Sequence, residues 1–351
     1  MNRPGKQRRY NVKTLTRFVA LVAAAAIFAV ATGSARAETK VRFSLDWIPG
    51  SVHSPFFIAL YKGYYKAEGL DVVIDRGKGS VGLVQQMASG VYDMGYPDIS
   101  VVEDFDSKNP DKAFPMLMVG YEQAPAGIAF LKDSTIKSPK DLEGKSLGAA
   151  AHDGGFKLFP TFTQHTGIDQ KKVNIKLIDP KLRETLLAKH EVDAIIGQIF
   201  NTVLELKAKG INPDQVGKFM YRDYGLDLYG NGVAASPAFL KEHPDAVKAF
   251  LRATMKGVQD MVKDPEMAVQ MTLKYEPLLN ANIERDRLKL AMECCIVTPN
   301  VLKNGFGDVD KERLARGIKI VADGYQLPNV PKADDIFNSS YLPAAKDRMV
   351  K

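Results

Sequence analysis

The only tryptophan of the chain, Trp47, follows Asp46 where a short β pattern, Val41-Arg42-Phe43-Ser44-Leu45, gives way to a Pro-Gly turn. His53 comes six residues later, ahead of an apolar helix. An indole on such a turn offers a large flat face that a planar ligand would cover by stacking; the other reading packs it beneath an interlobe loop. The His53 imidazole can meet a ligand or satisfy the helix start. Asp98, at the end of a short strand, can accept hydrogen bonds from an exocyclic amine and a ring N–H, cap the following helix, or do both. Asp153, Gly154 and Gly155 lie between a strand and a helix, where free backbone N–H groups suit a carboxylate, phosphate or carbonyl oxygen. The Asp153 carboxylate would repel a strong anion there, and a tight turn without a ligand is the alternative.

These groups favour capture over turnover. Gly77-Lys78-Gly79-Ser80-Val81-Gly82 does match a dinucleotide fingerprint between a strand and a helix, with Asp98 at the end of the following strand. Against an oxidoreductase, a full strand-helix unit precedes the motif, the strand before it carries Asp71 and Asp75, and no catalytic His/Lys/Tyr set is evident. No cofactor and no metal are expected, and no residue is assigned a catalytic role.

The elements that must position these side chains alternate. Strands are expected at 41–46, 70–75, 91–96, 115–121 and 126–131, interleaved with helices at 54–67, 80–89 and 98–107. After Thr135-Ile136-Lys137-Ser138-Pro139 the alternation restarts, with strands at 146–150, 173–178 and 192–197 and helices at 155–166, 181–190 and 199–209. From Pro237 the pattern is helical, at 237–242, 244–262, 265–275, 283–294 and 310–322. This is α/β order in two halves, and about 314 residues suit two lobes better than one core. Leu83–Asp93 and Glu184–Asp193 repeat one unit of amphipathic helix, tight turn and an Asp that opens a strand. Ligands in such sheets bind beyond the carboxyl ends of the strands, which adds Gln198 and Asn201 in the second half.

The first 37 residues read as an export signal: a basic start, an apolar run from Phe18 to Ala31 too short to span a membrane, and a small-x-small site at Ala35-Arg36-Ala37. Arg8-Arg9 leaves twin-arginine export open, although Asn11 stands where that signal wants an aromatic. The seven basic residues of this leader account for the whole net charge of +7. A neutral mature chain carries no electrostatic footprint for nucleic acid or an anionic membrane. The two cysteines, Cys294 and Cys295, lie far from the cleavage site, so a free periplasmic protein is expected. As neighbours they could close only a strained vicinal disulfide, and two buried thiols in a helix are the favoured state.

Leu45-Asp46-Trp47-x-Pro49-x-x-x-His53-x-Pro55-Phe56, Lys62-Gly63-Tyr64-Tyr65-x-x-x-Gly69-Leu70-Asp71-Val72 and Val91-Tyr92-Asp93-Met94-Gly95 together resemble the type II periplasmic substrate-binding proteins of ABC importers. The similarity is to the branch of thiamine-pyrimidine-precursor binders, beside the nitrate, sulfonate and taurine binders. It continues through Ser138-Pro139-x-Asp141-Leu142-x-Gly144-Lys145 to about Tyr275. It implies a two-lobe α/β fold with an interlobe cleft, lobe 1 from 38–124 and 235–351, lobe 2 from 125–234, and C-terminal helices packed on lobe 1. The lobes would be joined by crossings near Glu122–Gly127 and Tyr229–Ala235, which brings Glu122 and Tyr229 to the site. In the resembled pyrimidine binders the motif's histidine lies at the cleft, as does the loop after the strand at 146–150. The implied function is capture of a small planar, pyrimidine-like solute by a monomer and delivery to an inner-membrane permease. An oxyanion ligand would want a cleft Arg or Lys, whereas the strand ends supply Asp46, Asp98, Glu122 and Asp153. A cytosolic pyrimidine synthase shares this fold, but its cysteine-rich motif has no counterpart around Asp227–Asn231, nor its histidine in Tyr96–Val101.

Overall fold

The computed structural model describes Met1 and residues 38–351; apart from Met1, the leader expected over 1–37 lies outside the described residues. Thr39–Lys351 forms one contact unit. Its ten strands are β1 (Thr39–Ser44), β2 (Leu70–Asp75), β3 (Met94–Gly95), β4 (Met116–Val119), β5 (Ala126–Leu131), β6 (Ser146–Ala149), β7 (Asn174–Leu177), β8 (Ala194–Gln198), β9 (Val216–Met220) and β10 (Gly232–Ala235). They build two five-stranded sheets, ordered β2-β1-β3-β10-β4 and β7-β6-β8-β5-β9. Each sheet has three parallel strands with an antiparallel pair at one side.

The chain passes between the sheets twice, from β4 to β5 and from β9 to β10, and the two crossings hydrogen-bond to each other. The Tyr121 N–H donates to the Asn231 carbonyl (3.0 Å), the Gly230 N–H to Tyr121 (2.9 Å) and the Ala124 N–H to Leu228 (3.0 Å). A paired two-stranded connection of this kind lets two rigid bodies swing without tearing either sheet.

Local sequence explains where the helices start and stop. Helix α1 (Ser54–Tyr61) begins on Pro55, which pre-sets the first turn, and ends before Gly63 at φ 74°. That left-handed glycine splits the helix expected at 54–67, and α2 (Tyr64–Ala67) resumes after it. Further along come α3 (Ser80–Ala88), α4 (Ile99–Lys108), α5 (Gly154–Lys157), α6 (Phe159–Thr166), α7 (Arg183–Ala188) and α8 (Ile199–Ala208). The helical tail contains α9 (Pro237–Glu242), α10 (Pro244–Lys263), α11 (Pro265–Tyr275), α12 (Ala281–Ala291), α13 (Pro299–Asn304), α14 (Lys311–Tyr325) and α15 (Ala333–Ile336).

The first core forms where β1 is covered by α1 and α10: Phe43 lies 4.7 Å from Phe56 and 5.1 Å from Phe250 between ring centroids. In the second lobe Phe162 stacks on Tyr221 at 4.6 Å. The tail packs on the first lobe through α10 and α11, whereas α12 also touches α8 and α14 lies across both α4 and α6. Cys294 and Cys295 depart from the expected buried thiols: they are joined as a vicinal disulfide on a π-turn, Met292–Ile296, that follows α12.

Candidate functional site

The carboxyl ends of β1, β3, β6 and β8 face one another across the space between the sheets. Asp46, Trp47, Asp98, Asp153, Gly154, Gly155, Gln198 and Asn201 all line the resulting cleft. Its cavity is about 20 Å³, room for about one water molecule, so the lobes stand closed on each other.

Backbone contacts make that closure tight. The Gly77–Gly79 loop is clamped on the end of β1, with the Gly77 N–H donating to Trp47 (3.1 Å) and the Gly79 N–H to Asp46 (2.7 Å). Gly79 has φ 124°, and a Cβ there would stand 2.2 Å from the His152 carbonyl oxygen of the second lobe. At Gly154 a Cβ would come within 3.1 Å of the Asp98 Cβ. Within the dinucleotide-like motif, Gly79 therefore serves backbone approach between lobes and Gly77 close packing on the end of β1, while a Cβ at Gly82 would meet nothing.

Three carboxylates converge here, each held differently. Asp46 Oδ1 is 3.0 Å from His53 Nε2, and the Gly50 N–H donates to His53 Nδ1 at 3.2 Å, which assigns the imidazole proton to Nε2. Fully buried His53 thus acts behind Asp46 and does not line the cleft. Asp46 Oδ2 accepts from Gln198 Nε2 (3.3 Å), which also donates to Asn231 Oδ1 (3.2 Å), while Asn201 Nδ2 donates to Gln198 Oε1 (3.0 Å). This amide chain links the lobes.

Asp98 caps α4, its Oδ1 accepting from the Ser100 N–H (2.9 Å) and Ser100 Oγ (2.5 Å), which leaves Oδ2 without a hydrogen-bond donor among the described residues. Burial pushes its carboxyl up to about 6 against the Ser100 hydrogen bonds, and the Asp153 and Asp46 charges add to the rise. Asp153 caps α5 by accepting from the Gly155 N–H (2.7 Å), and its Oδ2 accepts from Arg183 Nη1 (3.1 Å). Burial raises the Asp153 carboxyl, opposed by the attraction of Arg183.

Arg183 is the residue that sequence reasoning missed. It is only 2% exposed, binds Glu184 Oε1 through Nη2 (2.6 Å) and Nε (3.0 Å), and lays its guanidinium 5.5 Å from the Trp47 ring centroid. The half-buried indole is therefore already faced by a planar cation. Ser80, Gly79, Pro125, Ala126 and Asn231 also line the cleft without having been expected. The expectation that the cleft holds acids and no arginine is corrected, since the guanidinium is buried between Asp153 and Glu184.

Besides His53, two further expected residues lie outside the cleft. Glu122 Oε1 is paired with Arg313 Nη1 at 2.5 Å, and the Tyr229 ring lies 4.2 Å from the same guanidinium with its hydroxyl accepting from the Asp310 N–H. Both are spent on anchoring α14 to the crossing segments. Asn201 does double duty, its Oδ1 accepting from Arg287 Nη1 of α12 (2.8 Å).

Comparison with known proteins agrees with this architecture. The chain is 27% identical over 311 residues to the formylaminopyrimidine-binding protein of Halalkalibacterium halodurans, covering 85% of this chain and 89% of that one. It is 26% identical over 259 residues to a 4-amino-5-hydroxymethyl-2-methylpyrimidine phosphate synthase of Saccharomyces cerevisiae, covering 70% and 73%. Among solved structures, the alkanesulfonate-binding protein of Xanthomonas axonopodis pv. citri superposes with a TM-score of 0.65 at 12% identity over 86% of this chain and 99% of that one. The fold is that of the periplasmic binding proteins. Residues 51–268, more than half of the chain, match the model of the NMT1/THI5-like family, and the protein belongs to that family.

Proposed function

We propose that the protein is a solute-binding protein that captures a small planar heterocycle with N–H donors, pyrimidine-like in size and pattern, between its lobes and delivers it to an ABC-type permease outside the cytoplasm. The carrying observation is Asp98: a carboxylate 6% exposed that lines the cleft, with Oδ2 free of any donor among the described residues and its neighbours Asp46 and Asp153 of the same charge. An acceptor that lines the cleft with a lone pair unspent can take a charge-assisted hydrogen bond from an incoming donor. An amino group or ring N–H supplies that donor, and Trp47 supplies the flat face on which the ring stacks once the Arg183 guanidinium yields. Ligand contacts to both lobes favour the closed state, which is the signal a permease reads. The relative named as a formylaminopyrimidine-binding protein supports this ligand class.

A second reading, an oxyanion ligand, draws on Arg183. Its charge is already matched by two carboxylates, Asp153 and Glu184, so an incoming anion meets a net negative wall. An enzymatic reading draws on the relatives named as synthases. A thermal-shift panel of aminopyrimidines, nitrate, taurine and alkyl sulfonates separates the three. The aminopyrimidines should stabilise by RT ln(1 + [L]/Kd) and be recovered unchanged. Stabilisation by an oxyanion alone, or consumption of the ligand, would sink the proposal.

A further inference from the structure

On the other side of Trp47, which lines both, lies a second cavity of about 430 Å³, about twenty times the inner space and within the range of about 300–1,000 Å³ typical of small-molecule sites. One lobe lines it with Trp47, Arg76 and Lys78, the other with His152, Asp179 and Lys181. Arg76 is committed to Glu276, and Asp179 accepts the Lys181 backbone N–H (2.9 Å). Among the described residues no carboxylate pairs with Lys78 or Lys181. The inner cleft is thus acidic and the second cavity basic, with one indole at the border of both.

We infer that this cavity is a second subsite, taking an anionic substituent, a phosphate or carboxylate, carried by the ring whose N–H groups enter the inner cleft. The inference rests on the proposed heterocycle reading. Lys78 is presented rigidly because the glycines on either side of it are bonded to the end of β1. Lys181 stands two residues before Arg183, which faces Trp47. Because the two lysines belong to different lobes, an anion between them ties the lobes together and adds to closure.

The test is titration of the protein with 4-amino-5-hydroxymethyl-2-methylpyrimidine, its phosphate ester and inorganic phosphate, followed by Trp47 fluorescence at low and high salt. The phosphate ester should bind about tenfold tighter than the alcohol at low salt, the yield of two or three exposed ion pairs, and high salt should erase the difference. The advantage should vanish in the double variant Lys78→Ala/Lys181→Ala and survive in Lys78→Arg/Lys181→Arg. Inorganic phosphate alone should perturb Trp47 emission in the wild type and not in the alanine pair. If the alcohol binds and the ester gains nothing, or gains equally in the alanine pair, the subsite is refuted while the heterocycle reading stands. If neither ring binds but phosphate alone perturbs Trp47 in a lysine-dependent way, the subsite stands and the pyrimidine ring is wrong. If nothing binds, both fall.

Discussion

Asp98→Asn removes one buried charge while keeping Oδ1 as the cap of α4, so it isolates the electrostatic cost of closing the cleft. The carboxyl rises from 3.8 to about 6 on burial, which corresponds to about 3 kcal/mol against the ionised closed state. The sign follows from an acid whose folded value lies above its unfolded value. The penalty is absent below pH 3.8, grows as pH rises, and is complete above about pH 6. Unliganded Asp98→Asn protein should therefore melt a few degrees higher than wild type at pH 7.5, with the gap closing toward pH 4. The same variant should bind an amine-bearing heterocycle about 1.5–3 kcal/mol more weakly, because with Oδ1 kept on the cap the Nδ2 amide meets the ligand's donor and the charge-assisted hydrogen bond is lost. Scanning calorimetry across pH, with and without the ligand, reads both effects. A variant that melts lower at pH 7.5 by the same margin at every pH, or that binds the ligand as tightly as wild type, would refute this role for Asp98.

Arg183→Ala leaves Asp153 and Glu184 buried without their partner and should cost about 3–5 kcal/mol of stability; unchanged chemical denaturation would contradict the buried triad. Gly79→Ala places a Cβ against the His152 carbonyl, so small-angle scattering should show a protein that stays expanded with ligand present, and ordinary compaction would count against the seam. Trp47→Ala should weaken binding more than Trp47→Phe, by more than the roughly 0.5–1.5 kcal/mol of an aromatic pair, and equal losses by calorimetric titration would remove stacking from the site. Glu103 is buried with Oε2 unpartnered, and burial holds its carboxyl well above the usual range. Glu103→Gln should therefore stabilise more at pH 8 than at pH 5, whereas a pH-independent difference in melting would show that the carboxyl is not shifted on folding.

The strand ends were legible because each joins a period-two run to a turn residue, and Asp46, Trp47, Asp98 and Gln198 are all found there. Arg183 was not, since on an amphipathic helix it reads as a solvated residue; its burial depends on Asp153, thirty positions away in sequence, and on the fold that brings α7 over the cleft. Glu122 misled for the converse reason. A carboxylate at a strand end resembles a ligand group until Arg313, 191 residues later, is seen to neutralise it. β9 escaped notice because Gly217 interrupts its pattern, and the structure uses that glycine to admit the Phe130 ring, which a Cβ would meet at 2.3 Å. Asn231 lies on a crossing segment whose pairing no local pattern encodes.

Isothermal titration calorimetry of the protein with 4-amino-5-hydroxymethyl-2-methylpyrimidine and with formylaminopyrimidine, followed by mass spectrometry of the recovered ligand, bears most directly on capture by the acidic cleft. Saturable one-to-one binding of at least one of them, with the ligand returned intact and Trp47 emission changing in step, is the expected result. Silence toward both while nitrate or taurine saturates the protein, or recovery of a chemically altered pyrimidine, would contradict it.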